Sequence, residues 1–298
     1  MPEASSAAVE QCLRAPGQKL TSGEPTRVTV HISSSTGWAP SQLWELWECR
    51  ELLYFLAWRD VRVRYQQTIL GPAWALLKPL LLVFVFSVVF GWLVQVPSEG
   101  TPYPLFSLCG VVPWQLFAQT LTAASQSLVA NQNLLTKVYF PRLVIPLSTM
   151  IGGLADVVVA MGALLGLMVY FHIIPTPYAW TIPFFIVLAC ATSLGVGLWL
   201  SALNVRYRDV GHALPFLIQL WFFATPIAYP SSLVPEAWRN WYAMNPMVSV
   251  VEGFRWCLLG TDGLSMTMLL ISVVISVSVL GSGLLYFKRV EEHFTDVV

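Results

Sequence analysis

The sequence predicts an all-α polytopic membrane protein with about six transmembrane helices, an N-terminal interfacial amphipathic helix, and short re-entrant outer helices between spans five and six. Two observations predict this fold class. Hydrophobic residues make up 56% of the 298 residues and charged residues only 11%, whereas a soluble domain carries about a quarter charged residues. Long intervals also contain no Asp, Glu, Lys or Arg, namely 79–98, 100–136, 157–205, 210–235 and 263–287.

The same composition excludes several classes of protein. The low charged fraction excludes a soluble enzyme and a disordered regulator. Sixteen Lys and Arg residues are balanced by sixteen Asp and Glu residues, so no basic excess exists to bind a polyanion. We therefore expect membrane lipids, and no nucleic acid, among the partners of this chain.

The N-terminal part of the chain divides into a tail and a helix. Residues 1–40 are polar and rich in Ser, Thr, Pro and Gly, without an apolar run long enough for a secretory signal. They predict a flexible cytoplasmic tail. Residues 42–59 are both aromatic and charged, too charged to span a membrane and too apolar to remain in water. This mixture favours a helix lying at the interface, with Trp47, Tyr54 and Trp58 on its apolar side.

The transmembrane domain is predicted over residues 41–290, followed by a short cytoplasmic tail over 291–298. A helix needs roughly 20 apolar residues to cross the hydrocarbon. Dividing the apolar intervals at turn residues places the spans at 70–94, 105–129, 143–171, 180–204, 213–229 and 266–287. The third span holds an internal acid, Asp156. The fifth is short and carries Pro215 and Pro226, so we expect it to be broken or kinked.

The distribution of Lys and Arg predicts the orientation. With the N-terminus inside, residues 1–64, 137–142, 206–208 and 288–289 carry most of the basic side chains, and the outer segments carry only Arg239 and Arg255. Because cytoplasmic loops are enriched in Lys and Arg, both termini are predicted to be cytoplasmic.

The segment around 234–255 is aromatic and largely apolar, but Pro235, Pro246 and several charges interrupt it. It cannot cross as one helix. We expect short helices that dip into the outer leaflet and return, with Glu236, Arg239, Glu252 and Arg255 close to water.

Motifs that would supply chemistry are missing from the sequence. No G-x-x-x-x-G-K-[ST] phosphate loop, G-x-S-x-G or H-E-x-x-H occurs, and the four histidines lie in separate segments. We therefore expect no catalytic residue, no metal and no cofactor bound by this chain. Asp156 alone is too little for a proton relay through the spans. If the protein moves a substrate, its energy must come from another molecule.

Several runs resemble one family of membrane proteins. The run Leu56–Pro79 resembles the N-terminal signature of ABC-exporter permeases for polysaccharides and polyol phosphates, the family that exports O-antigen, capsule and teichoic acid. Further similar runs follow in the family order, and together they cover most of residues 41–290. These runs are Val111–Leu121, Asn133–Leu147, Leu203–Val210, Gln219–Pro230 and Met244–Trp256.

The resemblance implies a specific assembly and substrate. Two copies of the permease form the pathway, and each docks a separate ATPase subunit that binds ATP and Mg. The cargo is a lipid-linked glycan on an undecaprenyl diphosphate carrier, exported across the bacterial inner membrane. Alternatives are export of teichoic acid or another polyol phosphate, efflux of a drug or lipid, a membrane-embedded glycosyltransferase, and a non-transporting scaffold.

The cytoplasmic loop between spans two and three is, by resemblance, the coupling segment that contacts the ATPase. The alternative is an ordinary connector enriched in positive charge. Arg206, Arg208 and Asp209 lie at the cytoplasmic end of span four, and an Arg–Asp pair among them is expected beside the ATPase. The expected coupling residues are Asn133, Leu134, Leu135, Lys137, Tyr139, Arg142, Arg206 and Asp209.

A basic cluster at the inner headgroup level consists of Arg59, Arg62, Arg64 and Lys78. Guanidinium groups pair bidentately with phosphate oxygens, so these residues are predicted to bind the carrier diphosphate. Attraction to anionic headgroups explains the same residues equally well. Asp156 has two interpretations as well, a functional acid or a group paired within the bundle.

Aromatic residues on spans two and five are predicted to guide sugar rings along the pathway, because sugars stack on aromatic faces. Lipid contact and packing are the alternative for each of them. The predicted pathway residues are Trp114, Phe117, Trp221, Phe222, Phe223 and Tyr229. The outer helices are predicted to form a gate that preserves the ion barrier, with Trp238, Trp241, Asn245, Pro246 and Arg255 as its residues.

Overall fold

The structure, a computed structural model, describes residues 47, 49–66, 73–135 and 140–291. Its helices are α1 (Arg50–Gln66), α2 (Ala73–Phe86), α3 (Tyr103–Ala130), α4 (Gln132–Leu135), α5 (Val144–Tyr170), α6 (Ile182–Arg206), α7 (Asp209–Phe223), α8 (Glu236–Tyr242), α9 (Pro246–Leu259) and α10 (Met266–Glu291). A π-helix (Ser87–Leu93) continues α2, and 3₁₀ turns occupy Pro177–Thr181 and Ser231–Leu233. The described residues contain no strand, which confirms the all-α prediction.

Four helical segments are long and apolar enough to cross a membrane. They are Ala73–Leu93, Val144–Tyr170, Pro177–Arg206 and Met266–Glu291, and they correspond to predicted spans one, three, four and six. The chain is therefore a multi-pass membrane protein. Spans two and five correspond to α3, which has 28 residues, and to α7, which has 15. A 15-residue helix is only about 22 Å long, less than the ~30 Å of hydrocarbon, so six spans remain a prediction.

Helix α3 forms the centre of the bundle and packs against α2, α5, α6 and α9. Nearly all of its side chains from Leu105 to Leu121 are buried. Two of its serines donate within the helix, Ser107 to Pro104 O and Ser127 to Ala124 O. Such internal hydrogen bonds let a buried helix carry hydroxyl groups. Gln119 Oε1 and Thr120 Oγ1, also buried in α3, have no partner among the described residues.

The connections predicted to be cytoplasmic meet at one end of the bundle. Leu134 and Leu135 pack with Leu52 and Leu56 of α1, and Arg142 donates to Glu291 O at the end of α10. The opposite end holds the other connections, where Tyr103 donates to Ala228 O. This partition matches the inside and outside segments predicted from the basic residues, and the end holding Tyr103 is called the outer end below.

Helix α1 differs from the predicted interfacial helix in its bounds and its buried side. It ends at Gln66 rather than at residue 59, and it packs along the start of α5 through Cys49, Leu52, Leu56 and Ala57. Its exposed aromatic residues are Trp47, Tyr54, Phe55 and Trp58. The helix continues beyond residue 59 because Arg64 and Tyr65 contact Asp156 on α5. Residues 42–46 and 48 of the predicted helix, the tail over 1–40, and residues 292–298 lie outside the described residues.

The fifth predicted span is interrupted, as expected. Helix α7 ends at Phe223 and residues 224–229 form turns. Pro226 lacks a backbone N–H and cannot continue the helix, whereas Pro215 is accommodated inside α7.

Candidate functional site

The predicted diphosphate-binding residues fall into two groups. Arg59 pairs with Asp60 at 2.8 Å and donates to Asn131 Oδ1 at 3.0 Å, which ties α1 to the end of α3. Arg64 pairs with Asp156 on α5, and the Tyr65 hydroxyl donates to the same carboxylate. These contacts confirm the interpretation that Asp156 is paired within the bundle.

Arg62 and Lys78 form the second group. Both side chains are exposed, and neither makes an ion pair within the described part of the chain. The guanidinium of Arg62 and the ammonium of Lys78 are therefore accessible from outside the protomer, and binding of a diphosphate by them stays a prediction. Lys78 lies within helix α2 and is exposed at its surface.

The predicted coupling segment is attached to α1, α5 and α10. Leu134 and Leu135 are half-buried against a cluster that includes Leu52, Phe140 and Ile145, and their contact with an ATPase stays a prediction. Asn133 is exposed. Lys137 and Tyr139 lie outside the described residues. Arg142 is half-buried, and its Nη1 donates to Glu291 O at 3.0 Å.

The expected Arg–Asp pair at the end of span four is wrong. Arg206, Arg208 and Asp209 are all exposed, and within the described region no ion pair joins Asp209 to either arginine. The guanidinium of Arg206 instead lies 5.4 Å from the ring centroid of Tyr207. An exposed Arg gains little from a surface ion pair, and a neighbouring aromatic face competes for it.

The predicted pathway residues form an aromatic cluster between α3 and α7. Trp114 lies 5.5 Å from Phe222, and Phe117 lies 4.8 Å from Trp221, between ring centroids. Trp114 and Phe117 are buried in the core of the protomer, so they support the α7 surface from behind in this conformation. Phe223 is largely exposed and Tyr229 is half-buried. That these residues line a pathway stays a prediction.

Helix α7 also presents an exposed apolar face, of which only Phe223 was among the predicted pathway residues. Its residues are Phe216, Leu217, Leu220 and Phe223, each about half exposed or more. They recur at helical spacing, which is the signal that could have identified them. The rings of Trp221 and Phe222 point toward α3, so α7 has one side packed in the protomer and another side unpaired within it.

Asn245 connects the pathway residues to the predicted gate. Its Oδ1 accepts from Trp221 Nε1 at 2.9 Å and from Met247 N at 3.1 Å, which caps α9. Its Nδ2 donates to Thr225 Oγ1 at 3.0 Å and to Ala224 O at 3.3 Å. Pro246, buried, occupies the first position of α9, where the missing N–H is tolerated. One side chain thus joins the ends of α7 and α9.

The expectation that Glu252 and Arg255 lie near water is wrong. Arg255 is fully buried and Glu252 is 1% exposed, and they pair at 3.2 Å. Arg255 also donates to Ile227 O at 2.8 Å and lies 3.6 Å from the Phe106 ring centroid. Glu252 Oε1 accepts from Ser231 N at 3.1 Å. Because a buried charge needs a partner and further hydrogen bonds, this pair holds residues 227–231 against α3.

The remaining outer residues lie at the surface. Trp238 and Trp241 on α8 are about two-thirds exposed. The Tyr229 hydroxyl donates to Phe223 O and lies 3.0 Å from the Tyr242 hydroxyl. Burial and this contact with Tyr229 raise the pKa of Tyr242, so its phenol stays protonated near neutral pH.

Among the described residues, no group of three His, Cys, Asp or Glu side chains could hold a metal ion.

Comparison with similar proteins identifies the family of this chain. Residues 51–259 match the family model described as ABC-2 type transporter. The O-antigen export system permease protein RfbA of Myxococcus xanthus is 32% identical over 214 residues, 71% of this chain and 81% of that protein. The protein of the same name from Klebsiella pneumoniae is 32% identical over 208 residues, 69% of this chain and 79% of that protein.

A second kind of relative extends the comparison. The polysialic acid transport protein KpsM of Escherichia coli is 26% identical over 248 residues, 78% of this chain and 91% of that protein. The resemblance to polysaccharide-exporter permeases that the sequence runs indicated is confirmed. This chain belongs to the ABC-2 type transporter family.

Proposed function

We propose that this chain is the permease subunit of an ATP-driven exporter that moves a lipid-linked, O-antigen-like polysaccharide across the bacterial inner membrane. The similarity to O-antigen permeases over most of the chain carries the proposal. Two copies form the pathway, and each binds one ATP-binding-cassette subunit on the cytoplasmic side. The chain itself binds no cofactor, and ATP and Mg are held by the partner.

The unpaired face of α7 supports a dimeric pathway. Phe216, Leu220 and Phe223 are exposed on an apolar helix whose opposite side is anchored to Phe117 and Asn245. A second copy or a passing glycan gives these side chains something to contact, and aromatic rings are suited to weak stacking on sugars.

The exposed basic residues support capture of the carrier. Arg62 and Lys78 carry donors that no acid of the described chain neutralises, and a diphosphate offers oxygens to both. Arg59 and Arg64 instead hold α1 in place. In this proposal the diphosphate is undecaprenyl diphosphate. The exposed aromatic side of α1 contacts membrane lipids.

A teichoic acid or another polyol phosphate is the second candidate cargo, because the exposed donors would also bind a phosphate in the polymer. Deleting the gene separates the candidates. We expect the surface polysaccharide to disappear and its undecaprenyl-linked precursor to accumulate inside the cell. An unchanged surface polysaccharide would contradict the proposal, and loss of a polyol phosphate polymer instead would establish the second candidate.

A further inference from the structure

A cavity of about 630 Å³ lies at the outer end of the bundle, and we call it the outer cavity. Its wall comes from the α2–α3 connection, the residues after α7, helix α8, and the α9–α10 connection. Ligand pockets commonly measure about 300–1,000 Å³. The cavity is thus large enough for an organic ligand, and none of the pathway or diphosphate residues lines it.

The lining of the outer cavity is polar. It includes the carboxylates of Glu99 and Asp262 and the guanidinium of Arg239. Its hydroxyls belong to Ser231, Ser232, Thr261, Ser265 and Thr267. An apolar drug or lipid chain would leave these groups without partners, which is unfavourable. A ligand rich in hydroxyl groups could donate to the carboxylates and accept from the serine and threonine hydroxyls.

One buried polar atom of the cavity lining, and a second one behind the wall, lack partners among the described residues. Thr261 lines the cavity and is 6% exposed, yet its Oγ1 makes no hydrogen bond within the described part of the chain. Glu252 Oε2 is also unsatisfied there, and it lies behind Gly263 of the cavity wall, where an added Cβ would sit 2.4 Å from it. Buried polar atoms nearly always have partners. A polar ligand in the cavity would supply a partner to Thr261 Oγ1.

The charges exclude other ligand classes. Glu99 and Asp262 outnumber Arg239, and the Glu252–Arg255 pair beside them is neutral as a unit. A phosphate would meet repulsion from the two carboxylates. The described residues offer no cluster of three metal-binding side chains. A saccharide fits best, because two neighbouring sugar hydroxyls can donate to one carboxylate in charge-assisted hydrogen bonds.

We infer that the outer cavity binds a saccharide segment of the exported polysaccharide as it leaves the membrane, an inference that rests on the proposed function. The α7–α8 side of the cavity is held by the contacts of Ser231 with Glu252 and of Ser232 with Glu99. A segment held here would be less free to slip back between ATPase cycles.

The test uses the full chain in nanodiscs. The probe is surface polysaccharide freed of its lipid by mild acid, taken from the bacterium that carries this gene, with maltotriose as an unrelated saccharide. Saturation-transfer NMR titrations measure binding. The variants are Asp262→Asn, which keeps the shape of an exposed side chain, and Thr261→Val, which removes only the unpartnered hydroxyl. Thr181→Val is the matched control, since Thr181 does not line the cavity.

We expect the wild-type chain to bind the polysaccharide more tightly than maltotriose. The Asp262→Asn variant should bind the polysaccharide about tenfold more weakly than the wild type does, because a charge-assisted hydrogen bond is lost. Thr261→Val should weaken binding a few-fold, with the thermal unfolding temperature unchanged. Thr181→Val should bind normally. Equal affinity for maltotriose, no binding at millimolar polysaccharide, or binding unaffected by either cavity variant would overturn the inference. If the binding test fails in this way but cells still export the polysaccharide, the inference about the cavity is wrong and the proposed function stands.

Discussion

At the scale of single residues, Arg255 illustrates how an apparent gate residue can have a structural role. It is an Arg in an outer segment, which suggests a position in water, but the guanidinium is fully buried and bonds Glu252, Ile227 O and Phe106. The sequence carries a weak sign of this, because Glu252 and Arg255 are three residues apart and share one helix face. Their burial depends on how α9 packs against α3, which spacing does not reveal.

Removing one member of this pair should be more harmful than removing both. Arg255→Met leaves Glu252 buried without its cation, and breaking such a pair costs about 3–5 kcal/mol. We expect the single variant to lower the unfolding temperature sharply and the double variant Glu252→Gln, Arg255→Met to recover part of it. Thermal unfolding in nanodiscs provides the measurement. A single variant as stable as the wild type would contradict the structural role.

Asn245 provides a second prediction at this scale. Asn245→Ala removes the cap of α9 and the bond to Trp221, so we expect a loss of about 1–2 kcal/mol in the free energy of unfolding. Asn245→Asp keeps an acceptor for Met247 N and Trp221 Nε1 and should recover about half of that loss. Chemical unfolding followed by tryptophan fluorescence measures both. Equal losses in the two variants would mean that the accepted hydrogen bonds are unimportant.

At the scale of helices, the ion pair between Arg64 and Asp156 attaches α1 to α5. The sequence analysis assigned Arg64 to a basic cluster and did not predict this pair. Arg64→Ala should leave Asp156 without its cation, with only the hydrogen bond from Tyr65, and loosen α1, which lowers the unfolding temperature. Arg62→Ala should leave the fold unchanged and weaken binding of undecaprenyl diphosphate in the proposed function. Thermal unfolding and binding of undecaprenyl diphosphate in nanodiscs separate the two effects. If Arg62→Ala destabilises the protein as much as Arg64→Ala, this division of roles is wrong.

The contact between α6 and α10 gives a sharper test of helix packing. A Cβ added at Gly283 would lie 2.4 Å from Gly195 O, whereas one at Gly281 would meet nothing within 4 Å. Gly283→Ala should therefore push the helices apart and cost about 1–3 kcal/mol. Gly281→Ala should be neutral or slightly stabilising, because Ala is the better helix former. Unfolding of the two variants in detergent measures their stabilities. Equal stability of the two variants would contradict the close contact between α6 and α10.

The elements themselves differ in how well the sequence predicts them. Spans one, three, four and six follow from long apolar runs, of which only span three is interrupted by an acid, and their observed bounds lie close to the predicted ones. Helix α1 extends beyond its predicted end because Arg64 and Tyr65 find Asp156, a partner almost a hundred residues away. The burial of Trp114 and Phe117 likewise depends on α7, so an aromatic pattern on α3 alone does not separate packing from pathway.

At the scale of the whole molecule, the described chain is a bundle with its basic connections at one end and the outer cavity at the other. The sequence predicted this polarity because the distribution of Lys and Arg and the apolar runs act over the whole length of the chain. The outer cavity was not predicted, since its wall is assembled from loops and helix ends that lie far apart in the sequence. In the proposed function, a cargo would meet the exposed donors of Arg62 and Lys78 at one end of the bundle and polar hydroxyls at the other.

Translocation in sealed vesicles tests the central claim most directly. The chain is reconstituted with its ATP-binding-cassette partner and undecaprenyl-linked polysaccharide, and the glycan that becomes protected from an external glycosidase is measured. We expect protection only when both proteins and ATP are present, and none with the chain alone. Glycan movement by the chain without the ATPase, or none with the complete system, would contradict the account.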